Sequence, residues 1–279
     1  MKRIYILTVL ILLSLVFRVS GQAISVQPLM VEIENDQRAA EIWILNTSNE
    51  TKTYRAVFEE YRMIETGRLL KLEEEYDDIQ KASDYVRVYP ETITLGPGES
   101  QTVRIQSRLP RDLGDVELRS HLSFQELSRG HDQEELLGYT QEELEEEGAV
   151  ALSIQMNVGI SIPVFVRNGD LHAEVEIKSA ELVKDNDPPY LQLNVTRLGN
   201  RSARGDVQVF HVSPEGREVL VGTRSLTIYT PLEDRVSRIG LTELEDVDLN
   251  SGKIKLKYEY NRDSGSRDFQ MAETEIQIN

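Results

Sequence analysis

Residues 152–166, LSIQMNVGISIPVFV, constrain this chain more than any other stretch. Apolar side chains fill every even position: Leu152, Ile154, Met156, Val158, Ile160, Ile162, Val164 and Val166. Between them lie Ser153, Gln155, Asn157, Gly159, Ser161 and Pro163, with Phe165 the one large apolar exception. Strict period two places the even side chains on one face of an extended strand, whereas a helix would scatter them around its circumference. Fifteen extended residues reach about 50 Å at roughly 3.3 Å each, and an ordinary strand has about five or six. A small sandwich has no use for an apolar face of that length. Either the strand bends through two sheets, or another protein buries part of its face.

The ends of the chain bear on where that strand operates. Lys2 and Arg3 precede a mostly apolar run at 4–17, and Val19-Ser20-Gly21 supplies small residues for cleavage. Residues 1–21 therefore read as a secretory signal peptide, and Arg18 cuts the run short of a membrane span. Removing Lys2, Arg3 and Arg18 leaves 28 basic against 48 acidic residues, so the exported chain carries about −20 in place of −17. No basic surface exists to displace phosphate counterions, which argues against nucleic-acid binding. The absence of cysteine removes disulfide frameworks and thiolate metal sites.

From Gln22 onward the chain reads as short strands separated by turns. Candidates lie at 24–26, 29–33, 40–45, 53–61, 85–89, 91–95, 101–107 and 119–125, with turn chemistry at 46–49, 96–98 and 110–114. Strands at this spacing predict a β-sandwich of immunoglobulin type. The single tryptophan, Trp43, lies in a strand candidate and reads as filler for a core or an interface. Between 126 and 148 the apolar content drops and glutamates dominate. This segment reads as a solvated acidic loop; the alternative is a short helix over 141–147, started by a capping box at Thr140 and Glu143. Asn168-Gly169-Asp170 then makes a natural hinge. Strand-like runs at 173–177, 190–196, 206–212, 218–223, 225–229, 254–260 and 273–278 predict a second sandwich. The fold class is all-β: a signal peptide at 1–21, an N-terminal sandwich at 22–168 and a C-terminal sandwich at 169–279. Three arginines within 197–205 read as a turn with a solvated face, or else as a patch that docks a partner.

No catalytic arrangement emerges. His121, His131, His172 and His211 are scattered and form no zinc spacing. Gly159-Ile160-Ser161 lacks the closing glycine of a nucleophile elbow, and no phosphate-cradling glycine loop is present. The expectation is a non-enzyme without metal or small-molecule cofactor.

Three pieces in order resemble the PapD-like periplasmic chaperones of pilus assembly. They are the run from Pro90 through Leu95, the Gly96-Pro97-Gly98 turn and Arg104-Ile105; the strand carrying Glu117, Arg119, Leu122 and Phe124; and Gly159 through Arg167. The resemblance covers about 23–168 well and the remainder loosely. It implies two immunoglobulin-like domains in a boomerang, and a periplasmic, ATP-independent chaperone for pilus or fimbrial subunits that delivers them to an outer-membrane usher. It further implies that the long strand lends alternating side chains to a subunit that lacks its last strand. Ile154, Met156, Val158, Ile160 and Ile162 are the implied donors, kept free or capped by a second copy of the chain in a self-capping dimer. Arg167 and Glu117 match the family's inter-domain ion pair. The two basic residues that anchor a client's terminal carboxylate in the family correspond to Met30 and Pro163, which cannot do so. The alternative is an exported structural or adhesive protein of two β-sandwiches that keeps the long strand for its own core.

Overall fold

A computed structural model describes residues 23–34, 37–73, 80–110, 112–127, 159–242, 247–260 and 272–278. The leader at 1–21, residues 128–148 of the acidic segment, with the helix expected at 141–147, and residues 152–158 of the long strand lie outside the described residues.

The first half contributes β1 (Ile24–Gln27), β2 (Val31–Glu34), β3 (Ala39–Asn46), β4 (Lys52–Glu59), β5 (Tyr61–Met63), β6 (Leu69–Lys71), β7 (Val86–Tyr89), β8 (Thr92–Leu95), β9 (Ser100–Ser107), β10 (Val116–Glu126) and β11 (Gly159–Asn168). One sheet has the order β1-β3-β9-β7 and the other β2-β11-β10-β4-β8, while β5 and β6 form a separate hairpin. Alternation decides which side chains meet between the sheets. Ile42 and Ile44 of β3 and Val103 and Ile105 of β9 face Leu122 and Phe124 of β10 and Ile162, Val164 and Val166 of β11 in one core. The chain changes sheets between β1 and β2. β1 pairs with β3 antiparallel, and β2 pairs with β11 parallel. Asn46 anchors the adjoining turns from a fully buried position: its Nδ2 donates to the carbonyls of Glu50 at 2.7 Å, Leu95 at 2.9 Å and Gly96 at 3.0 Å. A buried amide left without such acceptors would cost about 1–3 kcal/mol, so its saturation holds two loops to one point.

The second half contributes β12 (Ala173–Val183), β13 (Tyr190–Gly199), β14 (Ala203–Val212), β15 (Glu218–Ile228), β16 (Asp234–Gly240), β17 (Lys253–Tyr260) and β18 (Ala272–Gln277). They form sheets β12-β13-β16 and β15-β14-β17-β18 around a second core that includes Leu191, Leu193, Val207, Val209, Ile254, Leu256 and Tyr258. The described residues therefore make two immunoglobulin-like β-sandwiches, all-β in class.

Several expectations are corrected. Residues 218–223 and 225–229 belong to one strand, β15, because Arg224 stays in register opposite Val207. Residues 53–61 divide into β4 and β5 at Glu60. β16 escaped the pattern because its inward side chains are Ser237 and Ile239, and a buried serine breaks the apolar alternation. Trp43 is not in the core: it is 62% exposed on the outer face of β3, beside Leu45.

Candidate strand-donating edge and domain junction

β10 and β11 pair over ten residues, from Val116 opposite Asn168 to Gln125 opposite Gly159. Their even positions enter the first core. Their odd positions make rows across the outer face: Glu117 with Arg167, Arg119 with Phe165, His121 with Pro163, and Ser123 with Ser161. On its other edge β11 meets β2, but only from Val164 to Arg167. Among the described residues, no strand pairs with that edge of β11 from Gly159 to Pro163. Pro163 fits there, because a residue without an N–H is tolerated where a strand edge is unpaired.

Burial along this edge is graded. Ile160 is half-buried and packs against the core, whereas Ile162 is 1% exposed and lies inside it. The side chain of Ile162, one of the five expected donors, packs in the core of the first sandwich. Ile154, Met156 and Val158 lie outside the described residues.

At the other end of β11 the strand enters the junction between the sandwiches. Arg167 is 3% exposed, and its Nε donates to Glu117 Oε2 at 2.7 Å. Its Nη1 donates to Glu32 Oε1 at 2.7 Å and to Glu34 Oε1 at 3.1 Å on β2. Burial on its own would lower the Arg167 pKa, but the Glu117 and Glu32 carboxylates raise it on balance, so the cation is fixed. Glu117 Oε1 turns to the second sandwich. It accepts from Ser202 N at 2.9 Å, from the Ser202 hydroxyl, and from Thr230 Oγ1 at 3.2 Å. Arg201 Nη2 donates to Glu34 Oε1 at 2.9 Å, and Arg204 Nη1 lies 3.8 Å from Glu32 Oε1.

This network corrects the reading of 197–205 as a solvated turn. Arg197 and Arg201 are buried, and the segment docks on the first sandwich of the same chain. Arg197 Nη1 braces its own loop by donating to the Gly199 carbonyl at 2.6 Å. The hinge is likewise tied down. Gly169 has φ of 81°, and a Cβ there would come within 1.9 Å of Asp115 Oδ1. That same oxygen accepts the Asp170 N–H at 3.0 Å.

Between junction and free edge the outer face is buried but polar, which alternation in β10 does not reveal. Arg119 donates from Nη2 to the Tyr61 carbonyl at 2.8 Å and stacks over the Tyr229 ring at 4.6 Å. Burial lowers the Arg119 pKa. His121 meets Tyr61 edge-on at 4.7 Å between ring centres, and burial, reinforced by the Arg119 charge, lowers its pKa to about 4. Glu59 accepts from Lys71, from the Ser123 hydroxyl, from Tyr61 Oη at 3.0 Å and from Gln125 Nε2 at 3.0 Å. Burial raises its pKa, but the bonds from Lys71, Ser123 and Tyr61 outweigh that and lower it overall. Pro163 offers no charge in this row, and Met30, half-buried just before β2, offers none either. Of the histidines, His211 is held at the Ser251 carbonyl at 2.8 Å and His172 lies exposed. Among the described residues no three His, Cys, Asp or Glu side chains gather as a metal site.

No protein-family model matches the chain, and no curated protein matches it. Solved structures show a likeness of fold at low identity. The class 5 fimbriae chaperone CfaA is 11% identical over 90% of this chain and 97% of its own, with a TM-score of 0.45. The CsuC–CsuE chaperone–tip subunit pre-assembly complex of archaic chaperone-usher Csu pili from Acinetobacter baumannii aligns with 11% identity over 90% of this chain and 97% of that one, at 0.46. The CupB2 chaperone of Pseudomonas aeruginosa aligns at 13% identity over 91% of this chain and all of its own, at 0.45.

Proposed function

We propose that this chain is an exported, ATP-independent chaperone of pilus assembly. It holds incomplete β-sandwich subunits in the periplasm by lending them the strand that leads up to Arg167, and it passes them to an outer-membrane usher. The observation that carries this reading is the edge of β11 from Gly159 to Pro163, which no described strand pairs, continuing an apolar alternation that began at Leu152. An unpaired edge next to a row of Ile and Val is an aggregation hazard unless something is meant to pair with it. A client that lacks a strand presents the complementary hazard, an open groove with two free edges. Joining the two supplies main-chain hydrogen bonds and apolar contacts together.

The lending segment is Ile154, Met156, Val158 and Ile160, since Ile162 is used internally. Four side chains of this size yield roughly 6–12 kcal/mol on burial. Association costs about 4–15 kcal/mol, so the added ladder of backbone bonds has to contribute too. Glu117 and Arg167 serve the chaperone from the junction, by fixing the second sandwich against the first.

The burial of Ile162 favours a second reading, in which an exported structural or adhesive protein keeps the whole strand for itself. Co-expression with the subunits encoded beside it separates the two. A subunit should stay soluble and co-purify only with the intact chain, and V158D/I160D should abolish the complex while the circular dichroism stays that of a folded β protein. A complex untouched by the double substitution, or no subunit held by the parent chain, would overturn the chaperone reading.

A further inference from the structure

The β5–β6 hairpin belongs to the first sandwich by sequence, yet its tip rests on the second. We infer that this hairpin is an interdomain clasp: together with the buried ion-pair junction it fixes the angle between the two sandwiches.

Three contacts tie the hairpin to the second sandwich, at Tyr229, Arg235 and Val236. The Val236 N–H on β16 donates to the Glu65 carbonyl in the hairpin turn at 2.8 Å. The Arg235 guanidinium packs against Gly67, so close that a Cβ there would fall 2.2–2.4 Å from three of its atoms. Met63, only 6% exposed, accepts the Tyr229 N–H on its sulfur at 3.5 Å. The base of the hairpin is held to the first sandwich by Arg119 on the Tyr61 carbonyl and by Lys71 on Glu59. Gly67 adopts φ of 80°, which closes the turn and leaves the space Arg235 fills.

Two attachments do what one cannot. The Glu117–Arg167–Ser202 contacts sit beside the hinge at Gly169, and a single attachment near a hinge leaves rotation about it open. An attachment displaced from that axis removes the rotation. The clasp is therefore a positioning device, and its removal should change the spread of interdomain angles while leaving each core intact.

The chain has no cysteine, so two can be introduced cleanly for spin labels, at Gln106 on the first sandwich and Glu181 on the second, both exposed. Pulsed dipolar spectroscopy on the full chain should give one narrow distance distribution. V236P deletes only the donor aimed at Glu65, because β16 is a sheet edge on that side. M63A/R235A removes the side-chain contacts without touching the backbone, and decides the matter should proline unfold β16. Both variants should broaden the distribution while amide protection in the second core persists. A distribution as narrow as the parent's in the folded M63A/R235A variant would overturn the clasp.

Discussion

Replacing Arg167 with methionine tests the junction most severely, because it keeps an unbranched side chain and deletes the guanidinium that lies over Phe165 and donates to Glu117, Glu32 and Glu34. Glu117 would then stay buried with Ser202 and Thr230 as its donors and no cation. Breaking one side of a buried pair costs about 3–5 kcal/mol. With a urea dependence of about 2 kcal/mol/M, the midpoint of the first sandwich should therefore fall by roughly 1.5–2.5 M. Two domains need not unfold together, so the transition should be followed by hydrogen exchange of β10 and β11 amides as well as by circular dichroism. An unchanged midpoint would refute the reasoning. E117Q should cost less than R167M, because Arg167 keeps Glu32 and Glu34.

Two further outcomes follow from single residues. His121, its pKa lowered to about 4, binds a proton more readily when unfolded, so stability is complete above about pH 6.5 and is lost as pH falls toward 4. The loss should amount to roughly 3 kcal/mol and be absent in H121Q, and an NMR titration near 6.5 in the folded chain would contradict the burial argument. G169A combines a left-handed backbone with a collision at Asp115, and should lower stability by about 1–3 kcal/mol. Thermal unfolding checks it; an unchanged midpoint would mean the hinge relaxes freely.

Much of the architecture was legible because strands announce themselves by alternation and turns by their Gly, Pro and Asn residues. β1, β3, β9 and β17 could be placed within a residue or two on that basis. What escaped was burial by polar groups. β10 is buried on both faces, but its outer face carries Glu117, Arg119, His121 and Ser123, which in isolation read as a solvent-facing row. Only the second sandwich and the hairpin, brought in from distant sequence, turn that row into an interior. The same cause hid β16 and made 197–205 look solvated. Trp43 shows the opposite case: at an odd position of β3 its side chain is exposed by parity whatever its hydrophobicity, which removes the core half of its reading. At the edge of β11, the sequence showed eight apolar positions in alternation but could not show that Ile162 is buried in the chain's own core and Ile160 half-buried against it.

Lending of the segment before Arg167 is what separates a chaperone from a protein that keeps this strand. Hydrogen exchange over Gly159 to Ile162, measured on the free chain and on the chain bound to a co-purified subunit, addresses this directly. The amides turned away from β10 should exchange quickly when the chain is alone and become strongly protected in the complex. Strong protection already present in the isolated monomer, or no change when the subunit binds, would contradict it.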